Sequence, residues 1–447
     1  MSISAKVDRY HKNRAKSDPL PTGSAPFTSS SFSKKPQTTR KPKAKQCDQI
    51  LTLNSSFQTV SPLKTASRGK PMISLGTARP TPQYYPWKAM SLECINTATQ
   101  EFGGHQKLTS MRCSSGEAGY DLAVAMNYGY SAGSPQALRF VTEHVEMIHD
   151  PQYDDWDDGC GPKPSVLYMI PTGQNPTGTT QSLERRMEIY RIVVKHDLFI
   201  LEDDPYYFLQ MGQAPPKAAG DRDKHQDRDA YIGSLPRSYL SLDTDGRVLR
   251  MDTASKILPP GLRCVWVTGC SQIIEKFIAF SEVGVLSPSG PSQVMVFKLL
   301  DERWGRLGFI DWLQSLSRGY LCRREILLQA CRDHLPVGVC SWSVPDAGMF
   351  VWMRMDVSQH PSYNDRSSDP ENTCREIEDG IYSKSQENGV LVSKGSWFLQ
   401  GGALDEVSSR LTFAAAPETE LVQAVKWFAA AARSEYSLVT LRKSIWQ

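Results

Sequence analysis

The fold of this 447-residue chain is decided by the stretch from Ser165 to Asp204, which reads SVLYMIPTGQNPTGTTQSLERRMEIYRIVVKHDLFILEDD. Its first six residues form a continuous apolar run, which is typical of a buried parallel strand. Ser182 can cap a following helix, and LFILEDD at 198–204 repeats the pattern of a buried strand. A strand, a helix and a second strand in this order predict a right-handed βαβ unit and therefore a mainly parallel α/β sheet.

The chain after this unit continues with strands and then with helices. VLRMDTASK at 248–256 and CVWVTG at 264–269 read as two more strands. A long helical stretch follows from about 271 to 335, and a PSG tripeptide at 288–290 interrupts it. The C-terminal part then alternates strands with helices, which predicts a smaller α+β domain. Its two clearest strands are 349–355 and 410–414.

The chain before this unit has weaker patterns. Residues 86–126 read as loosely helical, and an amphipathic helix is expected from about Pro135 to His149. Two uses are open for a group of aromatic residues, pocket lining or core packing: Tyr84, Tyr85 and Trp87.

Basic residues are concentrated near the N-terminal end of the sequence. Residues 1–70 hold 14 Lys/Arg and 3 Asp/Glu, whereas the whole chain holds 51 and 48, so the remainder is mildly acidic. A basic arm can bind nucleic acid or an anionic membrane. Here the charges lie among Ser, Thr and Pro without apolar periodicity, which favours a disordered, solvated leader. We therefore expect no nucleic-acid and no membrane partner.

Composition is that of an ordinary soluble protein. Apolar residues make up 40% and charged residues 22%, and no apolar run approaches the ~20 residues of a membrane span. The sequence has ten cysteines and no CxxC motif, which favours reduced thiols over a disulfide framework or a zinc site. The first residues lack the apolar centre of a secretory signal. These features predict a cytoplasmic protein without a metal site.

Polar side chains follow three of the predicted strands, at the edge of a parallel sheet where ligands gather. The three segments are 173–178, 202–207 and 253–263. Together they offer an amide, carboxylates, a phenol, hydroxyls, a lysine and an arginine. A lysine amine can condense with an aldehyde, an arginine with hydroxyls can hold a phosphate, and a carboxylate can keep a pyridine nitrogen protonated. The set therefore suits a phosphorylated pyridine aldehyde.

At these residues the sequence resembles the fold-type I pyridoxal-phosphate (PLP) aminotransferases of class I/II. It is similar to the branch that includes the aromatic-amino-acid, kynurenine and 2-aminoadipate aminotransferases. The resemblance spans about residues 61–435 and implies an α/β fold, with a mainly parallel-sheet PLP-transferase large domain and a smaller α+β domain. The segments that carry it are MIPTGQNPTG (169–178), FILEDDPYYFLQ (199–210), RMDTASKILPPGLR (250–263), DAGMFVWMRM (346–355) and RLTFA (410–414).

The resemblance also implies roles for the residues around the cofactor ring. Lys256 would bind PLP covalently and act as the catalytic base that moves the proton on Cα of the substrate. Asp203 would pair with the pyridine nitrogen. Asn175 and Tyr206 would contact the ring hydroxyl, and Asn175 would also lie near the substrate.

Phosphate and carboxylate groups would be held by a second set of residues, again by resemblance. Thr253, Ser255 and Arg263 would bind the cofactor phosphate, and which of the two hydroxyls faces it stays open. Tyr128 matches a loop tyrosine that reaches the phosphate of the partner subunit in a homodimer. Arg410 would clamp the α-carboxylate of the substrate, for which a bidentate guanidinium is suited.

The resemblance divides the chain into four parts. Residues 1–60 are the basic disordered leader, and 61–135 are the N-terminal part of the small domain and the dimer arm. Residues 136–315 are the PLP-binding large domain, and 316–447 are the C-terminal small domain.

The large domain departs from the family between Asp150 and Ser165, which only 14 residues separate. Family members have a strand, a helix and a strand here, and such a unit needs about 30 residues. That piece normally supplies a Gly/Ser-rich turn at a helix N-terminus, which cradles the phosphate, and an aromatic residue that stacks on the ring. The sequence therefore predicts a large domain that is shortened near 150–165.

The reaction implied by the resemblance is transamination between an L-amino acid, aromatic or large and apolar, and a 2-oxo acid. Aromatic amino-acid or secondary metabolism would suit such an activity. Two alternatives to transamination stay open. The chain could catalyse another PLP-dependent reaction such as a lyase reaction, or it could be a degenerate homologue without catalytic activity. A transcriptional regulator of this fold is disfavoured because no helix-turn-helix pattern is visible in residues 1–60.

Overall fold

A computed structural model gives the structure of the chain, and it describes residues 2–17, 20, 85–96, 108–127, 133–149, 166–212, 224–364, 369–399, 404 and 406–438. These residues belong to two compact units. The large unit comprises Met1–Ile170, Gln181–Phe208 and Ala218–Ser315, and the small unit comprises Pro171–Thr180, Leu209–Lys217 and Leu316–Gln447. The division into four parts stays a prediction.

The helices of the described residues are, in chain order, α1 (Ile3–Ala15), α2 (Leu122–Ala125), α3 (Pro135–Ile148), α4 (Leu183–His196), α5 (Lys224–Ser234), α6 (Tyr239–Leu242), α7 (Ser271–Gly284), α8 (Gly290–Phe297), α9 (Gly305–His334), α10 (Pro370–Glu387) and α11 (Glu418–Glu435). The strands are β1 (Ala89–Ile95), β2 (Leu108–Ser114), β3 (Val166–Met169), β4 (Phe199–Asp203), β5 (Val248–Thr253), β6 (Val265–Thr268), β7 (Cys340–Trp342), β8 (Phe350–Met355), β9 (Ser393–Lys394) and β10 (Val407–Thr412).

The central sheet of the large unit has the strand order β3-β4-β5-β6. β3, β4 and β5 are parallel, and β6 is antiparallel to β5. The hydroxyl of Ser182 accepts a hydrogen bond from the Arg185 amide and so begins α4 between β3 and β4. Val193, Ile200 and Val248 are buried together and attach the helix to the sheet. The predicted βαβ unit is therefore confirmed.

The first helix corrects the expectation of a disordered leader for residues 2–17. Ile3, Val7 and Tyr10 recur at helical steps and are buried, and the Ser2 side chain caps the helix. Arg14 forms ion pairs with Glu143 at 2.9 Å and with Asp301 at 2.6 Å. The apolar stripe is short and its neighbours are charged, so the sequence pattern alone does not indicate a packed helix here. Residues 21–60 lie outside the described residues.

The region expected to be loosely helical contains a β-hairpin instead. β1 and β2 pair antiparallel, with Met90 opposite Cys113 and Leu92 opposite Met111. Apolar residues alternate with polar ones along both strands, and this period of two indicates a half-buried sheet. The apolar positions also fit a helix over short windows, so the sequence pattern was ambiguous. Only α2 of this region is helical among the described residues.

The helical stretch after β6 is confirmed, including its interruption. Ser289 caps α8, whose first residue is Gly290, and a π-helical turn at Lys298–Arg303 separates α8 from α9. A Cβ atom at Gly290 would overlap the backbone of Ala125, so this close approach requires glycine.

The small unit is built on an antiparallel sheet with the strand order β7-β8-β10-β9. Val351 and Met353 of β8 are buried with Ile377 of α10 and with Val425 and Phe428 of α11. This arrangement agrees with the α+β pattern expected for the C-terminal part. In the part of the chain that the structure describes, no helix combines the length and the apolar character needed to cross a bilayer.

Candidate active site

The ends of β4 and β5 lie side by side and carry several of the residues singled out in the sequence. Asp203 is the last residue of β4 and pairs with Met251, two residues before the end of β5. Lys256 closes a 3-10 turn that follows β5 directly. The parallel register therefore brings the carboxylate and the lysine to the same edge of the sheet, as expected for a ligand site.

Three consecutive acids, Glu202 and Asp203 at the end of β4 and Asp204 directly after it, have different surroundings in the structure. Side chains alternate between the faces of a strand, so Asp203 points away from its two neighbours. Glu202 and Asp204 are buried and contact the guanidinium of Arg250 at 2.9 Å and 3.4 Å. Asp203 is half-buried and accepts a hydrogen bond from Tyr168. Asp203 is thus the acid that faces the open side of this edge.

Arg250 and its acids form a fully buried ionic cluster under the site. Its guanidinium also contacts Asp252 at 2.8 Å and lies 4.5 Å from the centre of the Tyr207 ring. Burial disfavours the charge on Arg250, but the three carboxylates outweigh it and raise the pKa of Arg250 well above its ordinary value. Burial likewise raises the pKa of Asp252, although Arg250 opposes that shift. The cluster fixes the ends of β4 and β5 relative to each other.

Lys256 lies over an aromatic ring. Its Nζ is 5.8 Å from the centre of the Tyr206 ring, and Tyr206 is only 4% exposed. The Trp312 indole nitrogen donates a 2.7 Å hydrogen bond to the carbonyl of Ile257 and holds the chain that follows Lys256. Lys256 and Tyr206 are therefore positioned by packed neighbours within one unit.

The predicted phosphate-binding residues Thr253, Ser255 and Arg263 lie in neighbouring segments at the end of β5. Thr253 Oγ1 accepts from the Ser255 amide at 3.1 Å and donates to Ser255 Oγ at 3.0 Å. Thr253 pairs with Val265, so Arg263 lies beside the turn that carries Ser255. Arg263 is exposed, has a left-handed backbone with φ 48°, and donates to the Pro260 carbonyl at 3.3 Å.

The small unit carries two more of the predicted site residues, Arg410 and Asn175. Arg410 on β10 donates to Asn175 Oδ1 at 2.6 Å and to Ser393 Oγ at 3.1 Å. Its guanidinium carbon also lies 4.6 Å from the ring centre of Phe350 and 4.8 Å from that of Phe398. The side chain is therefore held by two hydrogen bonds and two aromatic faces.

The loop that carries Asn175 is anchored by two glycines. Gly173 packs on the backbone of Ala347 and Gly348, where a Cβ atom would come within 2.7 Å. Gly178 has φ +70° and lies against the Phe350 carbonyl. Both contacts require a residue without a side chain, so the glycines of the NPTG region place Asn175 beside Arg410.

The structure does not describe all of the residues that the sequence analysis singled out. Tyr128 and Tyr84 lie outside the described residues, as does the segment 150–165. Trp87 is 65% exposed, which excludes core packing for it, whereas Tyr85 is half-buried.

The structure adds four residues that sequence reasoning missed: Tyr168, Phe350, Ser393 and Phe398. Tyr168 could have been noticed, because it lies on a strand beside the one that ends in Asp203. The other three come to Arg410 from separate segments, and no local pattern marks them.

The donor set fits PLP in its chemistry. The large unit has a lysine for the aldehyde, an aspartate on the open face for the pyridine nitrogen, and hydroxyls with an arginine for the phosphate. These groups stand at one sheet edge rather than being scattered. Within the described residues, the chemistry of this set is therefore compatible with PLP.

Comparison with known proteins gives the family. The sequence profile of the aminotransferase class I and II family matches residues 163–428. The chain is 38% identical to the aminotransferase swnA of Metarhizium robertsii, over 86% of this chain and 91% of that protein. It is 32% identical to an aromatic amino acid aminotransferase of Schizosaccharomyces pombe, over 86% and 97%. The crystal structure of aminotransferase Aro8 from Candida albicans superposes with a TM-score of 0.79 at 29% identity, over 89% of this chain and 100% of that one.

The chain therefore belongs to the class I and II aminotransferases. It is a PLP-dependent enzyme of the α/β fold-type I class that acts on amino acids and 2-oxo acids. The alignment with the Metarhizium protein extends over 467 positions, more than the 447 residues of this chain, although it covers only 86% of them. That relative thus has residues with no counterpart here, and the shortening of the large domain near 150–165 stays a prediction.

Proposed function

We propose that this aminotransferase takes its amino group from aromatic L-amino acids and passes it to a 2-oxo acid. The observation that carries the proposal is that the guanidinium carbon of Arg410 lies 4.6 Å and 4.8 Å from the ring centres of Phe350 and Phe398, so that a carboxylate bound by Arg410 would have aromatic neighbours. An aromatic donor gains from such neighbours, since ring–ring contacts add about 0.5–1.5 kcal/mol beyond area burial. The Schizosaccharomyces relative is named for the same substrate class.

In the large unit, we propose that each residue at the sheet edge has one task. PLP, when bound, supplies an aldehyde for the amino group and a ring that accepts electrons released at Cα. Lys256 would hold the aldehyde through its amine and, once the amino group of the substrate had replaced it there, would take the proton from Cα. Asp203 would hold a proton on the pyridine nitrogen, and Tyr206 would donate to the ring hydroxyl. Thr253 or Ser255, together with Arg263, would bind the phosphate.

In the small unit, we propose that Arg410 binds the substrate α-carboxylate through its planar fork. The 2.6 Å hydrogen bond to Asn175 fixes the orientation of the Arg410 guanidinium, so that its N–H groups are positioned before a substrate binds. Asn175 also contacts the ring hydroxyl in this proposal.

We further propose a cytoplasmic homodimer in which Tyr128 reaches the phosphate of the partner subunit. The cysteines of the described residues are free thiols, which suits a reducing compartment. Sedimentation of the purified chain tests the dimer: a mass of one chain at micromolar concentration would exclude it.

The activity is tested with the full chain, PLP and 2-oxoglutarate, with phenylalanine, tyrosine, tryptophan, alanine and lysine as donors. We expect the aromatic donors to have the highest kcat/KM. Lys256→Ala should abolish turnover and the visible absorption of lysine-bound cofactor, whereas Lys195→Ala, at an exposed position of α4, should change neither. A preference for alanine or lysine would refute the aromatic specificity. Full turnover by Lys256→Ala would remove Lys256 from its role.

A further inference from the structure

Tyr168 on β3 is linked to the acid that the proposed function assigns to the pyridine nitrogen. Its phenol oxygen donates a 2.5 Å hydrogen bond to Oδ2 of Asp203. Both residues belong to the large unit and lie on adjacent parallel strands. The contact therefore joins two strand ends at the candidate site.

The strand register explains why this particular tyrosine reaches Asp203. Tyr168 pairs with Leu201, so Asp203 lies two residues further along the neighbouring strand and on the same face. A diagonal neighbour of this kind is within reach of a long aromatic side chain. Leu167 and Met169 point to the other face and join the core under the sheet.

Tyr168 stands on the open side of the sheet edge rather than in the core. It is 53% exposed and lies on β3, the outer strand of the described sheet β3-β4-β5-β6. Partial desolvation of the phenol and the hydrogen bond to Asp203 raise the pKa of Tyr168 to about 12. The phenol therefore stays protonated at neutral pH and can only donate to the carboxylate in this contact.

We propose that Tyr168 is a positioning residue, which holds the Asp203 carboxylate so that its other oxygen, Oδ1, faces the pyridine nitrogen. The proposal rests on the role that the proposed function gives to Asp203. A carboxylate on a strand end can rotate about two side-chain bonds, and a hydrogen bond to one oxygen restricts both. Binding of the cofactor then requires less ordering of the side chain.

The chain offers a matched control for the loss of such a phenol. Tyr190 on α4 also donates to carboxylates, at 2.9 Å to Asp243 and at 2.8 Å to Asp245. Neither acid is among the candidate site residues. Tyr190→Phe therefore removes a phenol–carboxylate contact from the same unit without touching Asp203.

The test compares wild type, Tyr168→Phe, Asp203→Asn and the double variant of the full chain. The dissociation constant for PLP is measured by equilibrium dialysis, together with the absorption spectrum of the bound cofactor. Because a hydrogen bond to a charged group is lost, we expect Tyr168→Phe to weaken PLP binding about tenfold and to change the relative intensities of the absorption bands. Tyr190→Phe should leave both measurements unchanged.

The double variant separates positioning from a general structural effect. If Tyr168 acts through Asp203, then Tyr168→Phe causes no further loss of affinity in the Asp203→Asn background. Equal losses in both backgrounds would overturn the proposal, and so would a Tyr168→Phe variant with the affinity and spectrum of the wild type. If Asp203→Asn itself binds PLP like the wild type, the assigned role of Asp203 fails. That outcome is distinguishable from a failure of Tyr168 alone, in which Asp203→Asn is weakened and Tyr168→Phe is not.

Discussion

Replacing Arg410 by lysine tests how the substrate carboxylate is recognised. The positive charge is kept, but the planar fork is lost. In the structure, Asn175 and Ser393 each engage one terminal nitrogen of the guanidinium, and two phenyl rings pack on it. An ammonium group cannot satisfy both hydrogen bonds in that geometry and also bind a carboxylate through two parallel bonds.

The expected loss of activity follows from the hydrogen bonds to the substrate carboxylate that the substitution removes. A hydrogen bond to a charged group contributes about 1.5–3 kcal/mol, and lysine replaces a bidentate contact by a single one. One such bond corresponds to a loss in kcat/KM of about 10- to 150-fold for an amino-acid donor. Most of it is expected in KM if the carboxylate is bound equally in the ground state and the transition state.

The assay compares phenylalanine with 2-phenylethylamine, which has the same ring and amine but no carboxylate. We expect Arg410→Lys to lose activity with phenylalanine and to match the wild type, however slow, with the amine. Arg354→Lys is the control, because Arg354 lies on the neighbouring strand β8 and its side chain is 64% exposed. It should behave as the wild type with both donors.

The reasoning is refuted if Arg410→Lys loses the same factor with both donors. That result would mean that Arg410 supports the fold or the cofactor rather than the carboxylate. Urea unfolding of the two arginine variants checks the first of these explanations directly.

Three further predictions concern stability. Burial lowers the pKa of His144 to about 3 and also lowers that of His149, so only the unfolded chain takes up the His144 proton below about pH 6.5. Urea unfolding should therefore show about 2 kcal/mol less stability at pH 5 than at pH 7 from His144 alone, with His149 acting in the same direction, and a flat profile would contradict it. Arg250→Met leaves three buried carboxylates without their cation and should cost about 3–5 kcal/mol, whereas the same change at the exposed Arg185 should stay within about 0.5 kcal/mol in the same assay. Gly178→Ala should lower the melting temperature, because a Cβ atom would overlap the Phe350 carbonyl at a φ of +70°; an unchanged melting temperature would show that the loop can move.

Much of the fold was predictable because it depends on local periodicity. The continuous apolar runs of β3 and β4 and the capped helix between them identified the βαβ unit. The hairpin of β1 and β2 is not predictable in this way, because its apolar residues fit both a period of two and short helical windows. α1 is not predictable either, because its three buried residues, Ile3, Val7 and Tyr10, lie among many charges. Its partners, such as Glu143 and Asp301, are more than 120 residues away.

The candidate site was predictable as a set of residue types at strand ends, but not as a set of contacts. Lys256, Asp203 and Arg410 were recognised from their motifs and a family resemblance. The spacing of residues along the sequence does not predict that Tyr168 donates a hydrogen bond to Asp203. It also does not predict that Arg250 forms ion pairs with Glu202 and Asp204.

The sequence by itself determined the βαβ order and the aminotransferase resemblance, and it singled out Lys256 as the candidate reactive lysine, since each depends on residues that are close in the chain or on a recognisable motif. The tertiary structure alone decided which of three consecutive acids faces the open sheet edge. It also decided which rings pack on Arg410. The physical reason is that strand register and side-chain packing join segments that are far apart in sequence. Alternation along one strand gives two faces, and only the neighbouring strands show which face is buried.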